Sequence, residues 1–107
     1  MKKKRGQVTR GNGNVFADLG FKNPEREQLK AQLTLQIYRL IRARGLTQAE
    51  AGRLLSIRQP HVSALMRGQS GAYSVERLMD FLTALGQDVT ITVKPTRHRR
   101  GELSVAV

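Results

Sequence analysis

The sequence predicts an all-α fold: a bundle of four to five helices, followed by a single C-terminal β-strand. Three observations carry that prediction. Apolar residues recur at helical spacing between Asn23 and Leu85, broken by glycines and polar turns. Capping signals, a tight turn and an Arg-Gly stop mark Leu46 to Gly68 as two short helices in a helix-turn-helix layout. Only Asp88 to Lys94 alternates β-branched with polar residues.

Residues 1 to 14 are rich in Lys, Arg, Gly and Asn, lack periodicity, and read as a disordered basic tail. Val15 to Phe21 is a short apolar segment, one helical turn at most, ended by Gly20. A strong start follows: Asn23 as cap, Pro24 at the first position, and Glu25 and Glu27 in the first turn. That helix runs to about Arg44 on a stripe of Leu29, Leu33, Ile37, Leu40 and Ile41. Leu35 and Tyr38 fall off the stripe, so the helix needs cover on a second side.

Thr47 and Glu50 fit a capping box at the start of the next helix. Two helices that cross steeply need a small residue at the contact, and Ala51 and Gly52 supply it. Leu55 and Ile57 flank the turn and point inward. Val62 and Leu65 share the inner face of the second helix. Arg58, Gln59, His61, Ser63 and Ala64 are left facing outward. Pro60 is tolerated in the first turn, where backbone donors have no helical partner. Two residues are poor choices for stability. Ser56 stands where the turn favours Gly, and Arg58 occupies a cap position that favours Ser or Thr. A basic residue there also opposes the helix dipole, which makes Arg58 a functional candidate.

Ser74 caps a fourth helix with Val75, Leu78, Met79, Leu82 and Leu85 on one face and Phe81 off it. Gly86 ends it. The strand over 88–94 has no convincing partner strand in the chain, and lone strands leave backbone groups unpaired. It should therefore pair with a copy of itself, a segment of another protein or the chain's own tail; a symmetric dimer is the commonest solution, placing Val89, Ile91 and Val93 at the dimer contact. The resulting organisation is a tail over 1–14, a domain over 15–94 with its motif over 47–68, and a flexible basic tail over 95–107.

The chain carries a formal charge of +11. Residues 1–14 hold +5 and residues 95–107 hold +2, which leaves +4 for the domain. Such tails favour nucleic acid non-specifically or simply keep the chain soluble; composition does not separate the two. The absence of Cys excludes disulfides and thiolate metal sites, and two His make any metal site a poor prospect. No apolar run approaches the ~18 residues of a membrane span. A reducing cytoplasm is the expected location. There are no paired carboxylates at useful spacing, no Gly-rich phosphate loop and no nucleophile with a base, so neither catalysis nor a cofactor is expected.

Thr47-Gln48-Ala49-Glu50 and the Arg67-Gly68 end resemble the Cro/phage-repressor, or xenobiotic response element (XRE), type of helix-turn-helix. A longer resemblance joins Asn14 to Phe21, Ile41 to Gln48, Ser74 to Met79, and Leu85 to Val89 with the strand beyond. Together these look like the compact antitoxins of HigA-like toxin–antitoxin pairs. The resemblance implies a Cro/phage-repressor-like bundle that binds a palindromic operator in double-stranded DNA as a homodimer. It also implies repression of the chain's own operon and neutralisation of a RelE/HigB-like mRNA-cleaving toxin. Carried over by position, Gln48 and Arg67 would hold phosphates, and Arg58 and Gln59 would face bases. His61 and Ser63 would meet phosphate or base edges. The residue types suit this, since Arg pairs with guanine and Gln with adenine in the major groove. Phe16, Leu19 and Phe21, with Leu35 and Tyr38, are candidates for the toxin contact; the alternative is that they cover the domain's own core. A stand-alone repressor with no toxin is the rival reading.

Overall fold

The computed structural model describes residues 23–107, which hold four helices: α1 (Pro24–Ala43), α2 (Gln48–Leu55), α3 (Gln59–Met66) and α4 (Val75–Ala84). The expected segment over Val15 to Phe21 lies outside the described residues. The chain divides into two compact units, one of residues 1–29 with 102–107 and one of residues 30–101. In the first, the described residues are the opening of α1 and a terminal segment without regular structure. The second contains the helix-turn-helix.

Helix boundaries follow the chemistry of the ends. Asn23 adopts a left-handed φ of 50°, which Asn tolerates better than most residues. Its carbonyl accepts from the Arg26 and Glu27 N–H groups at 2.9 and 3.1 Å. The capping box at α2 is complete: the Glu50 N–H donates to Thr47 Oγ1 at 3.1 Å, and the Thr47 N–H donates to Glu50 Oε1 at 2.8 Å. Ser74 caps α4 by accepting from the Arg77 N–H at 3.1 Å.

The core of the second unit is a single apolar cluster. Helix α1 contributes Leu33, Ile37 and Ile41, and α2 contributes Ala51 and Leu55. Val62 and Leu65 come from α3, and Leu78, Phe81, Leu82 and Leu85 from α4 and its end. The stripe read for α1 is therefore its buried face, with Leu29 and Leu40 half-buried at its margins. Phe81 differs from expectation. It is fully buried, because 78, 81, 82 and 85 form the tighter helical stripe, while Val75 and Met79 are only half-buried. Tyr73 meets its ring edge-on at 5.0 Å between centroids, and the Arg77 guanidinium lies 4.9 Å from its centroid.

Lys30 and Thr34 are buried polar residues on α1. Thr34 Oγ1 donates to the Lys30 carbonyl at 2.8 Å, and Lys30 Nζ reaches the Gly71 carbonyl at 3.4 Å. The lysine stem thus supplies apolar cover while its ammonium ties α1 to the loop before α4. At the other end of α1, Arg44 Nη1 donates to the Leu85 carbonyl at 3.2 Å. A cation there satisfies an end carbonyl of α4 and complements its dipole.

The expected strand is corrected. Residues 88–94 form no strand, and no strand occurs among the described residues. Val89, Ile91 and Val93 are exposed, Val93 to 92%. Strand geometry requires a ladder of partner hydrogen bonds, and these residues find no such ladder. The described architecture is all-α.

Candidate nucleic-acid interface

The geometry of the motif starts at Gly52. A Cβ there would lie 2.8 Å from the Ile57 carbonyl oxygen and 3.5 Å from Val62 Cγ2. The glycine therefore lets α2 approach the turn and α3 more closely than any side chain permits. The Gly52 carbonyl in turn accepts from the Ile57 N–H at 3.0 Å. The turn pivots on Ser56, which holds φ 58° and ψ 43° in the left-handed region. That conformation costs an L-residue roughly 1–2 kcal/mol. Ser56→Gly is expected to raise stability by about 0.5 kcal/mol once the extra chain entropy of Gly is subtracted. Thermal denaturation checks this; a lower midpoint would mean that the Ser56 side chain contributes a bond of its own.

Glu50 sets an electrostatic condition on α2. The Thr47 backbone N–H, followed by the Thr47 hydroxyl and the Arg53 charge, holds its carboxyl below the usual carboxylate range. A depressed folded pKa contributes stability above the unfolded value, about 4.3, and loses it as pH falls through the folded value. The midpoint difference between the native chain and Glu50→Gln is expected to be present at neutral pH and to vanish on acidification below that range. A difference that persisted in acid would exclude the charge as its source.

Helix α3 is held by Val62 and Leu65, both buried, so its other side is fixed outward. Arg58 is its N-cap residue, with no side-chain cap bond and an extended backbone (φ −75°, ψ 153°). Its carbonyl accepts from the His61 and Val62 N–H groups at 2.9 and 3.2 Å. The guanidinium is thus not spent on capping its own helix. Arg58, Gln59, Pro60 and His61 are exposed, and Ser63 and Ala64 half-buried.

Arg58, Gln59 and His61 come together along one open groove of about 620 Å³ between α2, the turn, the start of α3 and the loop before α4. Arg53, Ser56 and Tyr73 also line it, and none of the lining residues is acidic. Ser63 and Arg67 form a separate pair near the far end of α3, where Arg67 Nη1 donates to Ser63 Oγ. Gln48 is the first residue of α2, half-buried and not among the groove-lining residues. Sequence reasoning missed Arg53 and Tyr73. Arg53 was legible as a cation beside the turn, whereas Tyr73 sits in a loop whose path no local pattern gives away.

Of the other candidates, Leu35 is exposed and Tyr38 half-buried on α1. Arg42 donates to the Tyr38 hydroxyl at 3.0 Å and lies 5.7 Å from its ring centroid. Phe16, Leu19 and Phe21 lie outside the described residues. Among the described residues, no cluster of three or more His, Asp or Glu is placed to hold a metal. Nor is any helix long and apolar enough to cross a membrane.

A helix pinned by two buried residues, facing outward with Arg, Gln and His, and packed on a capped helix through a glycine is a DNA-binding helix-turn-helix. The chain belongs to the helix-turn-helix domain family, whose model matches residues 15–94, and its motif is of the XRE type. It is 33% identical over 69 residues to the Mycobacterium tuberculosis protein titled "Putative antitoxin HigA2". That match covers 64% of this chain and 65% of the relative, so it spans just under two thirds of the relative's length. A solved structure titled "Putative XRE Family Transcriptional Regulator" matches with a TM-score of 0.71 and 37% identity, covering 80% of this chain and 97% of that one. Family and fold are those of DNA-binding regulators, which are not enzymes.

Proposed function

We propose that the chain is a cytoplasmic antitoxin that represses its own operon as a dimer and neutralises a RelE/HigB-like toxin. The observation that carries this is its kinship, over 69 residues, with a protein titled an antitoxin. In this reading α3 enters the major groove. Arg58 and Gln59 read bases, His61 and Ser63 contact base edges or phosphates, and Gln48 and Arg67 hold phosphates. The exposed Val89, Ile91 and Val93 support a second step. Val89, Ile91 and Val93 would meet their counterparts in a second copy, setting two recognition helices ~34 Å apart on a palindrome. Leu35 and Tyr38 on α1 are one candidate toxin contact; Phe16, Leu19 and Phe21, the other, lie outside the described residues.

The test is co-expression with the adjacent reading frame. Rescue of cells from a toxic neighbour, with co-purification of the two chains, supports the antitoxin. The structural relative titled a transcriptional regulator favours the second reading, a stand-alone repressor. A harmless neighbour that does not co-purify would establish that reading instead.

A further inference from the structure

We infer that the turn at Arg97–Arg100 is a second DNA contact, an arm that grips backbone phosphates outside the site faced by α3. The inference rests on the DNA-binding class of the fold and on four observations. The first is charge: from Val89 to Gly101 the chain carries Lys94, Arg97, His98, Arg99 and Arg100 and no acidic residue. All five basic side chains are exposed.

The second is shape. The His98 N–H donates to Thr96 Oγ1 at 3.1 Å, and the chain bends over 97–100. A hydroxyl that captures an amide two residues on is a local turn device. It gathers the cations into a short stretch, whereas an extended chain would space them at ~3.3 Å per residue.

The third is the root of the arm. Arg44 binds the Leu85 carbonyl, and Arg44 lies three residues before Thr47, the cap of α2. The arm therefore leaves the bundle at the end that carries the N-terminus of α2, the end where Gln48 stands. The fourth is reach: the three steps from Lys94 to Arg97 span at most roughly 10 Å, so the arm extends past the proposed dimer contact over 88–94 by up to that distance.

Arginine suits phosphate because its planar fork donates two parallel hydrogen bonds to paired oxygens. Tethering matters as much as charge: once α3 has docked, the arm meets DNA at a high effective concentration. Phosphate contacts add affinity and orientation without reading sequence.

The test uses the full chain and the double variant Arg97→Gln, Arg99→Gln. Arg100, which has a partner of its own, is kept. The probes are a random-sequence duplex of about four helical turns and an equally long duplex enriched for binding to the native chain. We expect the slope of log K against log salt to become shallower by about 1.8, or 0.9 per lost phosphate contact. Base preference on the enriched duplex stays unchanged. An unchanged slope on both duplexes overturns the inference. Hydroxyl-radical footprints compare the native chain and the variant on the enriched duplex. Backbone protection lost in the variant while protection at the α3 grooves persists supports the arm, and identical footprints overturn it.

Discussion

Gly52→Ala is expected to lower the thermal midpoint by on the order of 10 °C and to weaken DNA binding by more than the stability loss explains. Alanine is the better helix former by about 1 kcal/mol, so an open site would gain from the change. Here the new methyl would stand 2.8 Å from the Ile57 carbonyl oxygen, a backbone atom that cannot swing aside. Relief requires α2 and the turn to separate. The Ile57 N–H bond to the Gly52 carbonyl, at 3.0 Å, opposes this because it ties the same two segments together. Overpacking of this kind costs about 1–3 kcal/mol. The larger effect falls on the interface. The methyl would only touch the Gln59 backbone nitrogen and Val62 Cγ2, at 3.8 and 3.5 Å, but Ile57 is two residues before Gln59, so a shift of the Ile57 carbonyl is passed along the chain to the start of α3. Base contacts tolerate little displacement. Thermal denaturation and titration with an enriched duplex measure the two effects separately. An unchanged midpoint with unchanged affinity would show that the crossing relaxes without cost.

The motif was legible because its constraints are local. Thr47 and Glu50 bond each other across a single turn, and Arg58 leaves its helix uncapped, as their positions in the chain imply. Gly52 was legible for a similar reason: a helix-turn-helix brings residue 52 against residue 57, a short excursion along the chain. Most of what the sequence did not disclose depends on partners distant in the chain. Phe81 is the exception: it lies on the stripe of 78, 81, 82 and 85 that the helical period itself draws, whereas the stripe read from sequence is centred too close to Val75 and Met79. Lys30 is buried because the Gly71 carbonyl, forty-one residues away, accepts from its ammonium. The segment over 88–94 has the alternation of a strand, but alternation describes how a strand would face a core and does not supply the neighbouring ladder. Tyr73 joins Arg58 and His61 at the groove only through the path of the loop that follows α3.

Arg58→Ala and Gln59→Ala are expected to relax sequence preference, whereas Arg67→Ala weakens binding to every duplex alike. The distinction comes from position on α3. Arg58 and Gln59 are exposed at its N-terminal end, and the groove they share contains no carboxylate to claim the guanidinium. A bidentate Arg–guanine or Gln–adenine contact is worth about 1–3 kcal/mol of discrimination, or roughly five- to 150-fold at one base pair. Arg67 is tied to Ser63 near the C-terminal end. That bond points its guanidinium along the helix, a geometry suited to a phosphate. Its loss should lower affinity without altering base choice and reduce the salt slope by about 0.9. Ser63→Ala should reproduce part of that loss, because it frees Arg67 and adds an ordering cost to its contact. Parallel titrations against an enriched duplex and its single-base variants distinguish these roles. If Arg58→Ala lowered affinity equally for all variants, Arg58 would be a phosphate ligand, and base reading would pass to Gln59 and His61.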